Sequence, residues 1–442
     1  MHTPILDFLW LYSEDNVSRF HMPGHKGKDI LGMEKWDITE VQGADSLYEA
    51  SGIIAESEDN ATGLFGSART FYSTEGSSQC IRAMLQLLLS NRGGERAPVV
   101  LAARNAHKAF IYSAALLDFE IRWLWPEESS SVCACPISAQ NLEAALKDMP
   151  KPPATVYITS PDYLGNMADI AALAELCHRH GTFLAVDNAH GAYLHFLEKP
   201  LHPLDLGADI CCDSAHKTLP VLTGGAYLHI SKSMPESFLQ KGKSALALFG
   251  STSPSYLTLA SLDHCNRYIA GGYRDKLSDF VRTVDWLKDG LTARGWQIEG
   301  SDPLRLCVCA SDAQKLYKQL RERGFEAEYA DEDYIVFMFT PENDERELEL
   351  LLRAMNSMDP GPAKRPALKL PKYEPVMSVR EAIMAPSEVI SISDAVGRVC
   401  ASPMVSCPPA IPIVISGEKI GEDAIELLGY YGIDKIEVVK KA

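Results

Sequence analysis

The chain has 442 residues, 46% of them hydrophobic and 23% charged, with 42 Lys and Arg set against 59 Asp and Glu for a formal net charge of -17. That composition belongs to a globular protein able to bury at least one large core, in two or three domains. It speaks against a nucleic-acid partner, because neutralising phosphates needs clustered Lys and Arg and no long basic run occurs.

The first residues, M-H-T-P-I-L-D-F-L-W-L-Y, lack a basic flank before their apolar stretch. Nowhere do about 18 uninterrupted apolar residues occur, so a cytoplasmic chain without a membrane span is expected. His21 and His25 are four apart, but Pro23 and Gly24 break the helix that would put both on one face, which removes a zinc reading of the H-E-x-x-H type. Next, Y-S-T-E-G-S-S-Q-C at 72 to 80 precedes Ile81, Met84, Leu85 and Leu88, spaced to bury one helical face.

Four segments then repeat one theme of an apolar run, a polar loop and a helical pattern. They are A-P-V-V-L-A-A-R-N-A-H-K, A-T-V-Y-I-T-S-P-D-Y-L-G-N, T-F-L-A-V-D-N-A-H-G and A-D-I-C-C-D-S-A-H-K, with helical stretches such as Ile170 to His180 between them. Continuous apolar strands separated by helices predict an α/β architecture, a mainly parallel sheet covered by helices. Ligands of such sheets bind outside the carboxyl ends of the strands, where Asn105, His107, Asp187, His190, Ser214, His216 and Lys217 fall.

After about residue 265 come a helical pattern at Tyr273 to Ala293 and strand candidates L-R-L-C-V-C-A and Y-I-V-F-M-F-T, which predict a smaller α+β domain. The proline-rich stretch 359–375 reads as a linker. Beyond it, S-V-R-E at 378 to 381 has the form of a capping box, and residues 421–439 read as a helix followed by a strand in a small C-terminal domain. The divisions expected are 1–60 as an N-terminal segment, 61–265 as the large domain, 266–358, the linker, and 376–442. Eleven cysteines lie mostly in apolar runs without C-x-x-C pairs, the pattern of reduced, buried thiols.

Lys217 carries the chemical reading. A lysine in a partly desolvated cleft loses its proton and can form a Schiff base with an aldehyde, for which pyridoxal phosphate is the natural candidate. That cofactor also needs an acid for its pyridine nitrogen, a platform for its ring and donors for its phosphate. Asp187, at the end of F-L-A-V, suits the first need, although an aspartate there also caps helices. His107 suits the second, although it can equally be a hydrogen-bonded histidine. Gly76 and Ser77 suit the third, since helix N-termini bind phosphate, although Ser and Thr cap most helices. Ser214 with His216 lacks the G-x-S-x-G turn of a hydrolase nucleophile.

Segments along almost the whole chain resemble the bacterial pyridoxal-phosphate-dependent ornithine, lysine and arginine decarboxylases. They include R-F-H-M-P-G-H-K-G at 19 to 27, D-I-T-E-V-Q-G-A-D at 37 to 45, A-T-G-L-F-G-S-A-R-T-F at 61 to 71, V-D-N-A-H-G-A, D-S-A-H-K-T-L-P-V-L-T-G-G-A-Y-L-H and S-T-S-P-S-Y-L-T-L-A-S-L-D. The resemblance implies the aspartate-aminotransferase fold (fold type I), with Lys217 as the Schiff-base lysine, His216 beside it, Ser214 on the phosphate, Asp187 on the pyridine nitrogen and His107 on the ring. By it Gly76 and Ser77 take the phosphate-loop positions, His190 joins the cofactor site, and Ser251 to Tyr256 lie near a partner subunit's site. It also implies a homodimer or dimer of dimers, without the N-terminal wing domain of longer members.

Four departures stand out. The usual N-G-T of the phosphate loop is Thr74, Glu75 and Gly76; S-T-H-K becomes S-A-H-K with Ala215; D-E-A-H becomes D-N-A-H with Asn188; and Y-P-P-G-I-P becomes Cys407-Pro-Pro-Ala410-Ile-Pro412. The expected activity is α-decarboxylation of arginine, lysine or ornithine. An aminotransferase or other lyase on the same fold, and a cofactor-binding regulator of a decarboxylase, are the competing readings.

Overall fold

The computed structural model describes residues 1–15, 17–91, 97–361, 370–403 and 410–441. By tertiary contact the chain forms two units, Met1–Asn91 with Phe183–Ser278, and Arg92–Thr182 with Asp279–Ala442. Among the described residues of the first 230 lie seven strands: β1 (Arg69–Ser73), β2 (Val99–Ala103), β3 (Glu120–Leu124), β4 (Thr155–Thr159), β5 (Phe183–Asp187), β6 (Ile210–Asp213) and β7 (Ala226–Ile230).

In the first unit the strand order is β1-β7-β6-β5. β5 and β6 run parallel, whereas β7 is antiparallel to both β6 and β1. Every residue of β6 and β7 is buried, which is why β6 reads as a continuous apolar run rather than an alternating one. The helix Gly76–Ser90 follows β1 and buries Ile81, Met84, Leu85 and Leu88, the face expected from their spacing.

Glu58 forms a buried ion pair inside this unit. Glu58 is fully buried and takes Lys243 Nζ at 2.5 Å and the Tyr72 backbone N–H at 2.8 Å. Burial pushes the Glu58 carboxyl up and the Lys243 amine down, and their mutual attraction opposes both shifts.

In the second unit β4, β2 and β3 are neighbours in that order and all parallel. A four-stranded antiparallel sheet follows, from β8 (Gln297–Glu299), β9 (Arg305–Cys309), β10 (Tyr329–Ala330) and β11 (Tyr334–Met338), in the order β10-β11-β9-β8. β12 (Ser387–Ser391) and β13 (Lys435–Val439) form an antiparallel ribbon. The capping box at Ser378 and Glu381 and the helix Glu422–Tyr430 before β13 match the sequence pattern.

These pieces share one core: Cys133, Tyr163 and Leu164 pack with Cys307, Tyr334 and Val336, and with Ile413, Leu428 and Val438. Arg104, buried at the end of β2, ties the C-terminal segment to it. Its guanidinium donates to Pro412 O at 2.9 Å and Ile413 O at 2.7 Å, and lies 4.9 Å from the Trp123 ring centroid.

All described cysteines are free and buried, as expected; Cys407 and residues 362–369 of the expected linker lie outside the described residues. Among the described residues no helix is long and apolar enough to cross a membrane.

Lys243→Met would leave buried Glu58 only the more distant Arg69 guanidinium, 3.8 Å from its other oxygen, at a cost of up to about 3–5 kcal/mol in denaturant unfolding. The Glu58 pKa, already raised, would rise further, and such a group stabilises the fold below its ordinary value and loses that contribution as pH climbs through the folded value. The variant should therefore lose more stability at pH 8 than at pH 5.

Candidate active site

Because β5 and β6 are parallel, both leave the sheet at the same edge, and their ends carry the residues expected to be functional. Asp187 closes β5 and is buried, its Oδ1 accepting from Ala189 N at 3.3 Å with Cys212 Sγ at 3.8 Å. Past β6 the chain turns into the short helix Ala215–Thr218, which holds His216 and Lys217. Lys217 Nζ lies 2.8 Å from His190 Nε2, so the D-N-A-H and S-A-H-K segments meet through these two side chains.

His216 points elsewhere. Its Nδ1 donates to Gly225 O at 3.0 Å, and burial, with the neighbouring Lys217 charge, pushes its pKa below 6.5. A neutral ring whose Nδ1 holds the hydrogen presents Nε2 as an acceptor.

The expected phosphate residues are also together. Ser214 Oγ donates to Ser77 Oγ at 2.9 Å, at the N-terminus of the helix Gly76–Ser90, whose N-cap Glu75 makes no side-chain cap. Gly76 has φ +72° and donates its N–H to Gly224 O at 2.8 Å. At Gly224, φ +97°, a Cβ would stand 2.8 Å from Thr74 O, so these two loops approach closely because Gly224 has no side chain there. Glu75 is exposed rather than turned into this corner.

His107 belongs to the second unit. It caps the helix Lys108–Leu117, its Nδ1 accepting from Ala109 N at 3.1 Å, and Asn105 Nδ2 donates to Cys133 O at 3.3 Å. Of Ser251 to Tyr256, Tyr256 is buried, with its hydroxyl donating to Asp45 O at 2.6 Å, while Ser251, Thr252 and Ser253 are exposed.

Three departures gain physical reasons. Ala215 is fully buried, so its side chain faces the interior. Asn188 Nδ2 donates to Asp213 Oδ1 at 2.7 Å, where a glutamate would bring two carboxylates together. Ala410 takes φ +58°, the left-handed region where the family's usual glycine is at ease, while its carbonyl accepts from Lys108 N at 3.0 Å.

Asp213 is the residue that sequence reasoning passed over. Besides Asn188, it takes His202 Nε2 and His229 Nε2, each at 3.1 Å on Oδ2, and all three side chains are fully buried. Ligand-type atoms of His202, Cys211 and Asp213 lie within 4.8 Å of one another. Yet Leu204 N donates to His202 Nδ1 at 3.4 Å, which puts the ring hydrogen on Nε2 and aims it at the carboxylate, so the group is a hydrogen-bond cluster. The signal was in the alternation of Cys211 and Asp213 along β6; the distant histidines carried none.

Two family models match the chain: Orn/Lys/Arg decarboxylase, major domain, over residues 3–307, and Orn/Lys/Arg decarboxylase, C-terminal domain, over residues 363–435. The chain belongs to this family. It is a pyridoxal-phosphate-dependent amino-acid decarboxylase. It is 28% identical to an arginine decarboxylase of Halalkalibacterium halodurans, over 95% of this chain and 91% of that one, and 28% identical to an arginine decarboxylase of Bacillus subtilis, over 96% and 93%. The crystal structure of the Francisella novicida lysine decarboxylase LdcF superposes on 99% of the decarboxylase and 81% of its own chain with a TM-score of 0.79, at 17% identity, a likeness of fold.

Ala410→Gly should stabilise the decarboxylase, because it relieves a left-handed alanine costing roughly 1–2 kcal/mol and gives back part of that gain as unfolded-chain entropy. The expected net gain is about 0.5–1 kcal/mol in denaturant unfolding, with activity unchanged.

Proposed function

We propose that this decarboxylase acts on a basic amino acid, arginine first and lysine next, as a cytoplasmic homodimer or dimer of dimers. The observation that carries the site reading is the contact of Lys217 Nζ with His190 Nε2 beside Asp187, at the shared edge of β5 and β6. The donor set fits pyridoxal phosphate. A primary amine faces the site, a carboxylate closes the adjacent strand, and two hydroxyls pair at a helix N-terminus next to a glycine whose missing Cβ leaves open space.

In this reading Lys217 would hold the aldehyde, Asp187 the pyridine nitrogen, and Ser77, Ser214 and the Gly76 turn the phosphate. When bound, the cofactor supplies an electron sink for the pair left on the α-carbon as carbon dioxide departs. Asp187 keeps that sink effective by favouring the protonated nitrogen. A proton must then reach the α-carbon, and Lys217 is the better donor, since His216 is held neutral with its only ring hydrogen on Gly225 O. His190, 2.8 Å from the Lys217 amine, can take and return that amine's proton.

Borohydride reduction of the yellow protein should fix the cofactor on Lys217, read by peptide mass. Recovery of the label on another lysine rejects the assignment.

Relatives named arginine decarboxylases support the order of substrates. A fixed carboxylate in a confined site rewards a distal cation more than an exposed one would, because screening is weaker there. Carbon dioxide and amine release should therefore favour arginine and lysine over ornithine, with citrulline and norleucine poorer by about tenfold or more. Preference for a neutral or acidic amino acid overturns the substrate class; amino transfer to a keto acid without amine product overturns the reaction assignment.

A further inference from the structure

Asp213 lies between the two ends that the chemistry uses. It closes β6 one residue before Ser214 and four before Lys217, and its Oδ1 accepts from Asn188, the residue after Asp187. The backbone repeats the link: Asn188 N donates to Cys212 O at 3.0 Å. On its other oxygen, Asp213 takes His229 from β7 and His202 from the segment between β5 and β6. Each histidine is itself held by its second nitrogen. Leu204 N donates to His202 Nδ1, and Thr70 Oγ1 lies 2.8 Å from His229 Nδ1, with Ser67 Oγ 2.8 Å from Thr70 Oγ1. One carboxylate thus gathers β5, β6, β7 and, through Thr70, β1.

We propose that Asp213, gripped by Asn188, His202 and His229, is a positioning residue that fixes the ends of β5 and β6 and so the aim of Asp187 and Lys217. It touches no substrate; it acts through the groups on either side of it. The inference rests on the reading of Lys217 and Asp187 given above.

A buried carboxylate serves this purpose only while ionised and fully paired. Burial by itself would raise its pKa, but the pull of His202 and His229 outweighs that and holds it well below the ordinary carboxylate value. Around it burial raises the thiols of Cys80, Cys211 and Cys212 and the phenol of Tyr227, and lowers His229.

The test compares wild-type protein with Asp213→Asn, His202→Leu and His202→Gln, glutamine being able to place an N–H near the position of His202 Nε2. Four things are measured: the Kd of pyridoxal phosphate by absorbance titration of apo-protein, the visible band at saturating cofactor, kcat and KM for arginine, and fold by circular dichroism. Borohydride labelling of wild-type Lys217 comes first, and a label found elsewhere overturns this inference together with the reading beneath it.

With Lys217 labelled, Asp213→Asn and His202→Leu should weaken cofactor binding and lower kcat by about tenfold or more, since small misplacements of reacting groups cost that much. They should alter the visible band while KM stays within about twofold, and His202→Gln should retain most of the wild-type behaviour. Folded Asp213→Asn with wild-type Kd, band and kcat overturns the inference. So does an equal loss in His202→Leu and His202→Gln, which would mark a packing effect; should Asp213→Asn fail to fold, that histidine pair decides.

Discussion

The parallel pairing of β5 with β6 is the constraint on which the site of the first unit depends. Parallel strands end at the same edge, so the residue that closes β5 and the turn that follows β6 emerge side by side whatever their separation in sequence. Asp187 and Lys217 are thirty positions apart in the chain, yet that topology and the Asn188 bridge to Asp213 bring their local segments together. The antiparallel strand β7 then closes over β6 and delivers His229 to the same carboxylate and Gly225 O to His216.

The polar groups of this region divide by role. Two carboxylates that hold structure are fully buried and multiply bonded: Glu58 with Lys243 and the Tyr72 N–H, and Asp213 with three donors. Of those assigned to chemistry, Asp187, His190 and Ser214 are buried, while Lys217 and Ser77 are partly exposed, and Lys217 meets His190 as Ser214 meets Ser77. A buried charge is tolerated only when paired, whereas a reacting group must remain able to exchange its partner for a ligand. The departures from the family pattern follow the same division. Asn188 and Ala215 answer to the interior, while Glu75 stands in solvent at the helix N-terminus and leaves the hydroxyls of Ser77 and Ser214 to line the corner.

Much of this was legible in the chain. Strands β2, β4, β5 and β6 were visible as buried apolar runs, and the helix Gly76–Ser90 in the spacing of Ile81, Met84, Leu85 and Leu88. β3 was not, because its Glu120, Ile121, Arg122 alternation marks a half-exposed strand, and neither β1 nor β7 was marked, since their pairing is antiparallel and comes from strands some 150 residues apart in sequence. For the site, the residue types of Lys217, His190, Asp187, Ser77 and Ser214 were readable from their strand-end and helix-start positions.

Sequence by itself determined the local states and the chemical repertoire, because apolar periodicity, capping residues and the dense runs around Lys217 act over a few neighbours. Tertiary structure alone decided the partners: that His216 spends its ring hydrogen on Gly225 O, that Tyr256 donates to Asp45 O, that Arg104 holds Pro412 and Ile413, and that Asp213 gathers His202, His229 and Asn188. A hydrogen bond depends on distance and direction at the ångström scale, and those are set only when strands far apart in the chain have chosen their neighbours and register.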